Sequence, residues 1–180
     1  MRIAVSGTHF SGKTTLISSV SDKLRDYQIF EEPYHLLEED GYAFSDPPSI
    51  EDFEKQLECS IELIKSSPKN AIFDRSPFDF LAYALVIAEE NHDHCDMETW
   101  QTQIEEIISH IDMLVFVPIE YPDSIKLPKS EDRELRYSID EKIKELILED
   151  SLGCLGDIAI LEVSGTLQKR TDMVLNFLEK

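Results

Sequence analysis

Short apolar runs alternate along the chain with longer stretches in which apolar residues return every three or four positions. The short runs predict strands over residues 2–6, 28–31, 70–74, 113–117 and 158–163. Between them, Leu16, Val20 and Leu24 line one face of a helix over 13–26, and Phe53, Leu57, Ile61 and Ile64 do the same over 50–66 before Pro68 stops it. Pro77 suits the first turn of a third, long helix reaching about residue 90. Helices over 97–110, 134–149 and 167–178 complete the set. This alternation predicts an α/β fold, a five-stranded parallel sheet with helices on both faces, in a three-layer α/β/α sandwich. Two segments read as non-regular: 33–49, with Gly41, Pro47 and Pro48, and 118–132, with Pro122, Pro128, Lys126 and Lys129, which has the character of a flap. In such a sheet the ligand crevice lies at the carboxyl ends of the strands, so the segments after Ser6, Glu31, Asp74, Val117 and Val163 are expected to converge.

The first of those segments carries the strongest chemical signal. Gly7-Thr8-His9-Phe10-Ser11-Gly12-Lys13-Thr14-Thr15 is a G-x-x-x-x-G-K-[ST] loop set between a strand and a helix. Its glycines let the backbone turn its N–H groups toward phosphate oxygens; Lys13 reaches the β- and γ-phosphates, the Thr14 hydroxyl ligates Mg²⁺, and the helix adds its positive end. The expected fold is therefore that of a P-loop NTPase, and the expected cofactors are ATP and Mg²⁺. Phe10 is bulkier than the residues usual in this loop, which points either to a shifted phosphate geometry or to a phenyl ring lining an acceptor pocket.

Composition narrows the partners. With 180 residues the chain suits a single nucleotide-binding domain over 1–180, with a lid at about 118–136. Thirty-seven acidic residues against 17 basic ones give a net charge of −20, which argues against nucleic acid or an anionic membrane as partner. No apolar run approaches the ~20 residues of a bilayer helix. Cys59, Cys95 and Cys154 are isolated thiols without zinc or disulfide spacing, and a cytoplasmic location is expected. Against this acidic background the six arginines are informative.

Ala71-Ile72-Phe73-Asp74 has the form of a buried strand that delivers a carboxylate to the sheet's mouth, either to order Mg²⁺ or to cap the next helix. Arg75 lies near the phosphates or pairs with a surface acid. Arg133 and Arg136, three apart at the flap's end, share a helical face from which both reach transferring phosphate oxygens; the alternative is pairing with surface acids such as Asp140. His92-Asp93-His94-Cys95-Asp96 has metal-ligand residue types without a structural zinc spacing, and reads as a polar loop.

Asp74-Arg75-Ser76-Pro77-Phe78-Asp79-Phe80-Leu81-Ala82-Tyr83 resembles the D-R-S/Y…D…A-Y segment of thymidylate-kinase-like and deoxynucleoside-kinase-like proteins. The phosphate loop resembles that of the small AAA-type ATPase/kinase group related to the nicotinamide riboside kinase domain. The likeness implies that Glu32 of Glu31-Glu32-Pro33, or its neighbour Glu31, is the base acting on the acceptor, and that Arg133 and Arg136 are lid arginines. It also implies that Ser164-Gly165-Thr166 wraps the adenine with Arg170 stacking on it; a turn glycine followed by a helix cap accounts for that run equally well. Tyr34, His35, Tyr42 and Phe44 offer aromatic surface for a base or nicotinamide-like ring, or pack locally.

These readings converge on a Mg²⁺-dependent kinase that moves the γ-phosphate of a nucleoside triphosphate to a small-molecule acceptor, a nucleoside, nucleotide or related metabolite. The alternative is a nucleotide-dependent ATPase or regulatory switch read by a protein partner; a guanine-specific version lacks the N-K-x-D run. A binding module without turnover ranks below both. A homodimer is compatible with either of the first two.

Overall fold

The computed structural model describes residues 1–123, 125–129 and 131–179. In chain order the elements are β1 (Arg2–Ser6), α1 (Lys13–Ser21), β2 (Gln28–Phe30), α2 (Pro33–Glu39), α3 (Ile50–Ser66), β3 (Ala71–Asp74), α4 (Pro77–Asn91), α5 (Met97–Ile108), β4 (Met113–Phe116), α6 (Arg133–Leu148), β5 (Ala159–Glu162) and α7 (Leu167–Leu178). The five strands form one parallel sheet in the order β2-β3-β1-β4-β5. Its register aligns Val5 with Asp74 and Ser6 with Phe116, so the loops after β1, β3 and β4 open at one edge.

The alternation of side chains along the strands divides the core in two. Ala4, Phe73, Leu114 and Phe116 pack with α3, α4, α5 and α6 on one face, around the fully buried Trp100, Phe78 and Phe80. Ile3, Val5, Ile72, Met113 and Val115 pack with α1 and α7 on the other. Three layers result, with β1 at the centre, as the alternating pattern predicts. Among the described residues, no helix is long and apolar enough to cross a membrane.

Three local features differ from the sequence expectation. Helix α1 ends at Ser21 rather than residue 26, because Lys23 and Leu24 turn back to the Val20 carbonyl and close the helix. The segment expected to be non-regular from residue 33 opens as α2, with Pro33 in its first turn, where the missing N–H costs nothing. Seven residues are too few to display a helical period, and for that reason the pattern was silent. Helix α6 starts at Arg133, one residue early, because the Asp132 carboxylate accepts from Glu134 N at 2.9 Å and Leu135 N at 3.1 Å. The described residues of the expected flap before it contain neither helix nor strand; Ser124 and Ser130 lie outside the described residues.

Candidate active site

Between β1 and α1 the chain must reverse over the sheet edge, and only residues that tolerate left-handed backbone allow so tight a path. Gly12 has φ 94° and Phe10 φ 53°. At Gly7 a Cβ would lie 2.5 Å from the Val117 carbonyl oxygen, so nothing larger fits. Beneath the loop, Ser76 and Asp79 form a capping box that starts α4. The same fully buried Asp79 carboxylate accepts from Gly7 N at 2.9 Å and from the Ser6 hydroxyl, which fixes where the loop leaves the sheet.

Lys13 is buried and donates to the Thr8 carbonyl at 2.8 Å. Burial, reinforced by the Arg75 cation, lowers its pKa to about 8. The Thr14 hydroxyl donates to Asp74 Oδ2 at 2.7 Å, and the second Asp74 oxygen is buried without a partner. Burial raises the Asp74 pKa, against the pull of Lys13 and the Thr14 hydrogen bond. Asp74 therefore stands beside the loop and does not cap α4. A hydroxyl and a carboxylate with one free oxygen are hard donors suited to Mg²⁺, which takes few protein ligands and completes its shell with phosphate oxygens and water. No group of three or more His, Cys, Asp or Glu side chains among the described residues forms a separate metal cage, the 92–96 run included.

Beside Asp74, Arg75 adopts φ 93°, a strained conformation for a residue with a Cβ. Its guanidinium donates to Glu32 from Nε, lies 3.7 Å from Asp79, and sits 5.2 Å from the centroid of the Tyr83 ring, while Nη1 has no hydrogen-bond partner. Burial raises the Glu32 pKa, but Arg75 and Lys13 outweigh it and hold the carboxyl below its ordinary range. Glu31 is exposed, whereas Glu32 is half-buried and pairs with Arg75. A cleft of about 400 Å³ runs from Thr14 and Asp74 past Ile17, Ser18 and Phe30 to both glutamates and His35. Tyr34 stacks on Phe44 at 4.3 Å, and Phe44 meets Tyr42 edge-on at 4.8 Å, so these rings pack first against one another.

The arginines at the flap's end are placed differently from the shared-face expectation. Arg136 is 1% exposed and donates to the His9 and Phe10 carbonyls, each at 3.0 Å, and to Asp123 at 2.6 Å. Arg133 stands in the first turn of α6 and is exposed, without a hydrogen bond or ion pair among the described residues. Asp140, expected as a surface acid, is buried and accepts from Ile119 N at 3.2 Å. Lys126 and Lys129 are exposed. Arg170 donates to Ser11 O at 3.1 Å and Gly165 O at 3.0 Å and pairs with Glu120 at 3.2 Å, while Thr166 caps α7. Gly165 turns the chain at φ 94° ahead of that cap. Phe10 is exposed, its ring edge-on to His9 at 5.8 Å.

Sequence reasoning assigned no role to Asp79, Tyr83, Glu120, Asp123 or Glu131. Asp79 had a local signal, the S-x-x-D spacing from Ser76. Tyr83 closes the D-R-S…D…A-Y segment but its contact with His9 is not written there, and Glu120, Asp123 and Glu131 act across the fold.

A glycine-rich phosphate loop at the carboxyl end of the central strand of a 2-3-1-4-5 parallel sheet defines a P-loop nucleotide-binding fold. The chain belongs to the AAA domain family, whose model matches residues 2–170. In fold it is similar to deoxyadenosine kinase from M. mycoides, solved with bound dATP, at 20% identity over 100% of both chains and a TM-score of 0.74. It is also similar to thymidylate kinase from Candida albicans, at 20% identity, 99% of this chain, 90% of that one and a TM-score of 0.62. The NadR protein, solved with NAD and AMP-PNP, matches 99% of this chain with 49% of its own length, at 16% identity and a TM-score of 0.69. No curated protein matches the chain significantly in sequence.

Proposed function

We propose that the chain is an ATP-dependent kinase that phosphorylates a hydroxyl group of a small metabolite, with a nucleoside as the leading acceptor class. The observation that carries this reading is the Glu32–Arg75 ion pair beside Lys13 and the Thr14–Asp74 contact: one ionised carboxylate next to a phosphate loop. A hydroxyl acceptor needs a single carboxylate that orients it and takes its proton late in transfer. A phosphate acceptor brings about two negative charges and calls for cations not already opposed. Arg75 is met by both Glu32 and Asp79, which favours the hydroxyl.

In this reading residues 1–180 act as a single domain with its lid at about 118–136. The amides from Gly7 to Thr15 and the Lys13 ammonium hold the triphosphate. Thr14 and Asp74 hold Mg²⁺, which neutralises phosphate charge when bound. Glu32 accepts the hydrogen bond of the acceptor hydroxyl. Arg75, held between Glu32 and Asp79, keeps Glu32 ionised beside the phosphate loop. Arg133, exposed at the lid's edge, closes on the γ-phosphate. The similarity in fold to kinases that act on nucleosides and nucleotides supports the acceptor class.

The test is ADP release from Mg·ATP across nucleosides, nucleoside monophosphates and ribosylnicotinamide, with Lys13→Ala as blank. The expected result is release that depends on a nucleoside and yields its monophosphate by mass. Release at one slow rate whatever is added overturns the reading and returns the site to an ATPase switch. Release only with monophosphates overturns the hydroxyl assignment alone.

A further inference from the structure

The outer face of the phosphate loop is held by guanidinium groups from two distant helices. Arg136 of α6 takes the carbonyls of His9 and Phe10 with Nε and Nη2, each at 3.0 Å, and Arg170 of α7 takes the Ser11 carbonyl at 3.1 Å. Three successive loop carbonyls are thereby fixed by charge-assisted bonds. A peptide unit is planar and trans, so a carbonyl pinned outward turns the following N–H the opposite way. The N–H groups concerned are those of Phe10, Ser11 and Gly12, and none of them bonds another group among the described residues. With positive φ at Phe10 and Gly12, they form a concavity of free donors of the kind that binds anions.

Both arginines are themselves anchored. Arg136 is locked by Asp123 of the lid segment, and Arg170 by Glu120 and by the Gly165 carbonyl. Gly165 N in turn donates to Glu120. The Thr8–His9 peptide is held separately, its carbonyl by Lys13 and its N–H by the Tyr83 hydroxyl.

We propose that Arg136, assisted by Arg170, is a positioning residue that presets the triphosphate cradle by clamping the loop's outer carbonyls, rather than a lid arginine that contacts the transferred phosphate. The inference rests on the reading of residues 7–15 as a nucleotide site, but not on the identity of the acceptor. It follows that the clamp serves the phosphates seated in the loop, so ADP and ATP feel it equally. A γ-phosphate contact would be felt by ATP alone. Lysine keeps the charge at this position but loses the fork that serves two carbonyls and a carboxylate together.

The experiment is calorimetric binding of ADP and of a non-hydrolysable ATP analogue, each with Mg²⁺, to the full chain and to its Arg136→Lys and Arg170→Lys variants. Thermal melts and steady-state kinetics accompany it. Arg136→Lys is expected to weaken both nucleotides by the same factor, about tenfold or more, with the kinetic loss falling mainly on KM for ATP. Arg170→Lys is expected to weaken both by a smaller common factor. If Arg136→Lys spares ADP while lowering kcat about a hundredfold, the arginine touches the γ-phosphate and the proposal is wrong. If the variant melts earlier but the folded protein binds ADP at full affinity, the role is structural only and the proposal is equally wrong. Should Arg136→Lys fail to fold, retained ADP affinity in Arg170→Lys overturns the clamp and a common loss supports it. A wild-type chain that binds neither nucleotide removes the nucleotide reading and the clamp together; one that binds both but phosphorylates no acceptor removes only the kinase reading.

Discussion

His9 sits in the phosphate loop with its ring between two hydrogen-bond partners: Nδ1 lies 2.7 Å from the Tyr83 hydroxyl and Nε2 lies 3.0 Å from the Glu131 carboxylate. The neutral tautomer with the proton on Nε2 satisfies both. Burial lowers the pKa from 6.5 to about 4, helped by the Arg75, Lys13 and Arg136 cations and opposed by Glu32. A depressed histidine pKa means the unfolded chain binds the proton more tightly. Its contribution is therefore fully present above pH 6.5 and is lost as pH falls toward 4. We expect the stability gap between wild type and His9→Gln to narrow between pH about 7 and about 4.5 in denaturant titrations. Asp140 carries the opposite sign. Burial pushes it up to about 6, against the Ile119 N–H, with Glu141 raising it and Arg136 and Lys144 lowering it. Its stability contribution is fully present below the ordinary 3.8 and is lost as pH rises through 6, so Asp140→Asn should gain on wild type from pH about 4 to about 6 and level off above that. Arg133→Ala distinguishes Arg133 from Arg136: kcat is expected to fall by about 10² or more, with ADP affinity retained in the same calorimetric assay.

Among the elements, α3 and α4 each begin with a reciprocal capping box, Ser49 with Asp52 and Ser76 with Asp79. Both were legible as S-x-x-D spacings. What the spacing did not disclose is how much else each aspartate carries. Asp52 also accepts from the Tyr42 hydroxyl at 3.1 Å and from Ser45 N, which ties the loop after α2 to the start of α3. Ser49→Ala should therefore cost about 1 kcal/mol and Asp52→Ala about 2 kcal/mol in urea unfolding, since the second also removes the charged acceptor of Tyr42 and Ser45. Equal costs would mean the loop contacts contribute nothing. The central strands β1, β3 and β4 were readable because a parallel sheet covered on both faces requires unbroken apolar runs. Helix α2 was not, because its seven residues are stabilised by Pro33 and by the stacking of Tyr34 on Phe44 across a loop, neither of which is periodic.

At the scale of the molecule, a net charge of −20 makes self-repulsion a standing cost that salt relieves. Stability should rise between ~10 mM and ~150 mM monovalent salt, as the screening length drops from about 30 Å to about 8 Å; a fall would mean that ion pairs such as Arg136–Asp123 outweigh the repulsion. The order of the elements, the phosphate loop and the carboxylate at the end of β3 followed from sequence alone, because each is set by residues adjacent in the chain: apolar runs, turn glycines and a helix start. Glu32 rather than Glu31 faces Arg75, and Arg136 rather than Arg133 clamps the loop. The tertiary structure decided both, because the choice turns on which side of one residue the backbone presents to a partner many positions away. Arg136 is 127 residues from His9, and its charge, spacing and helix carry no information about which carbonyl it meets. The fold supplies that partner when α6 packs against α4 and brings its own first turn over the loop.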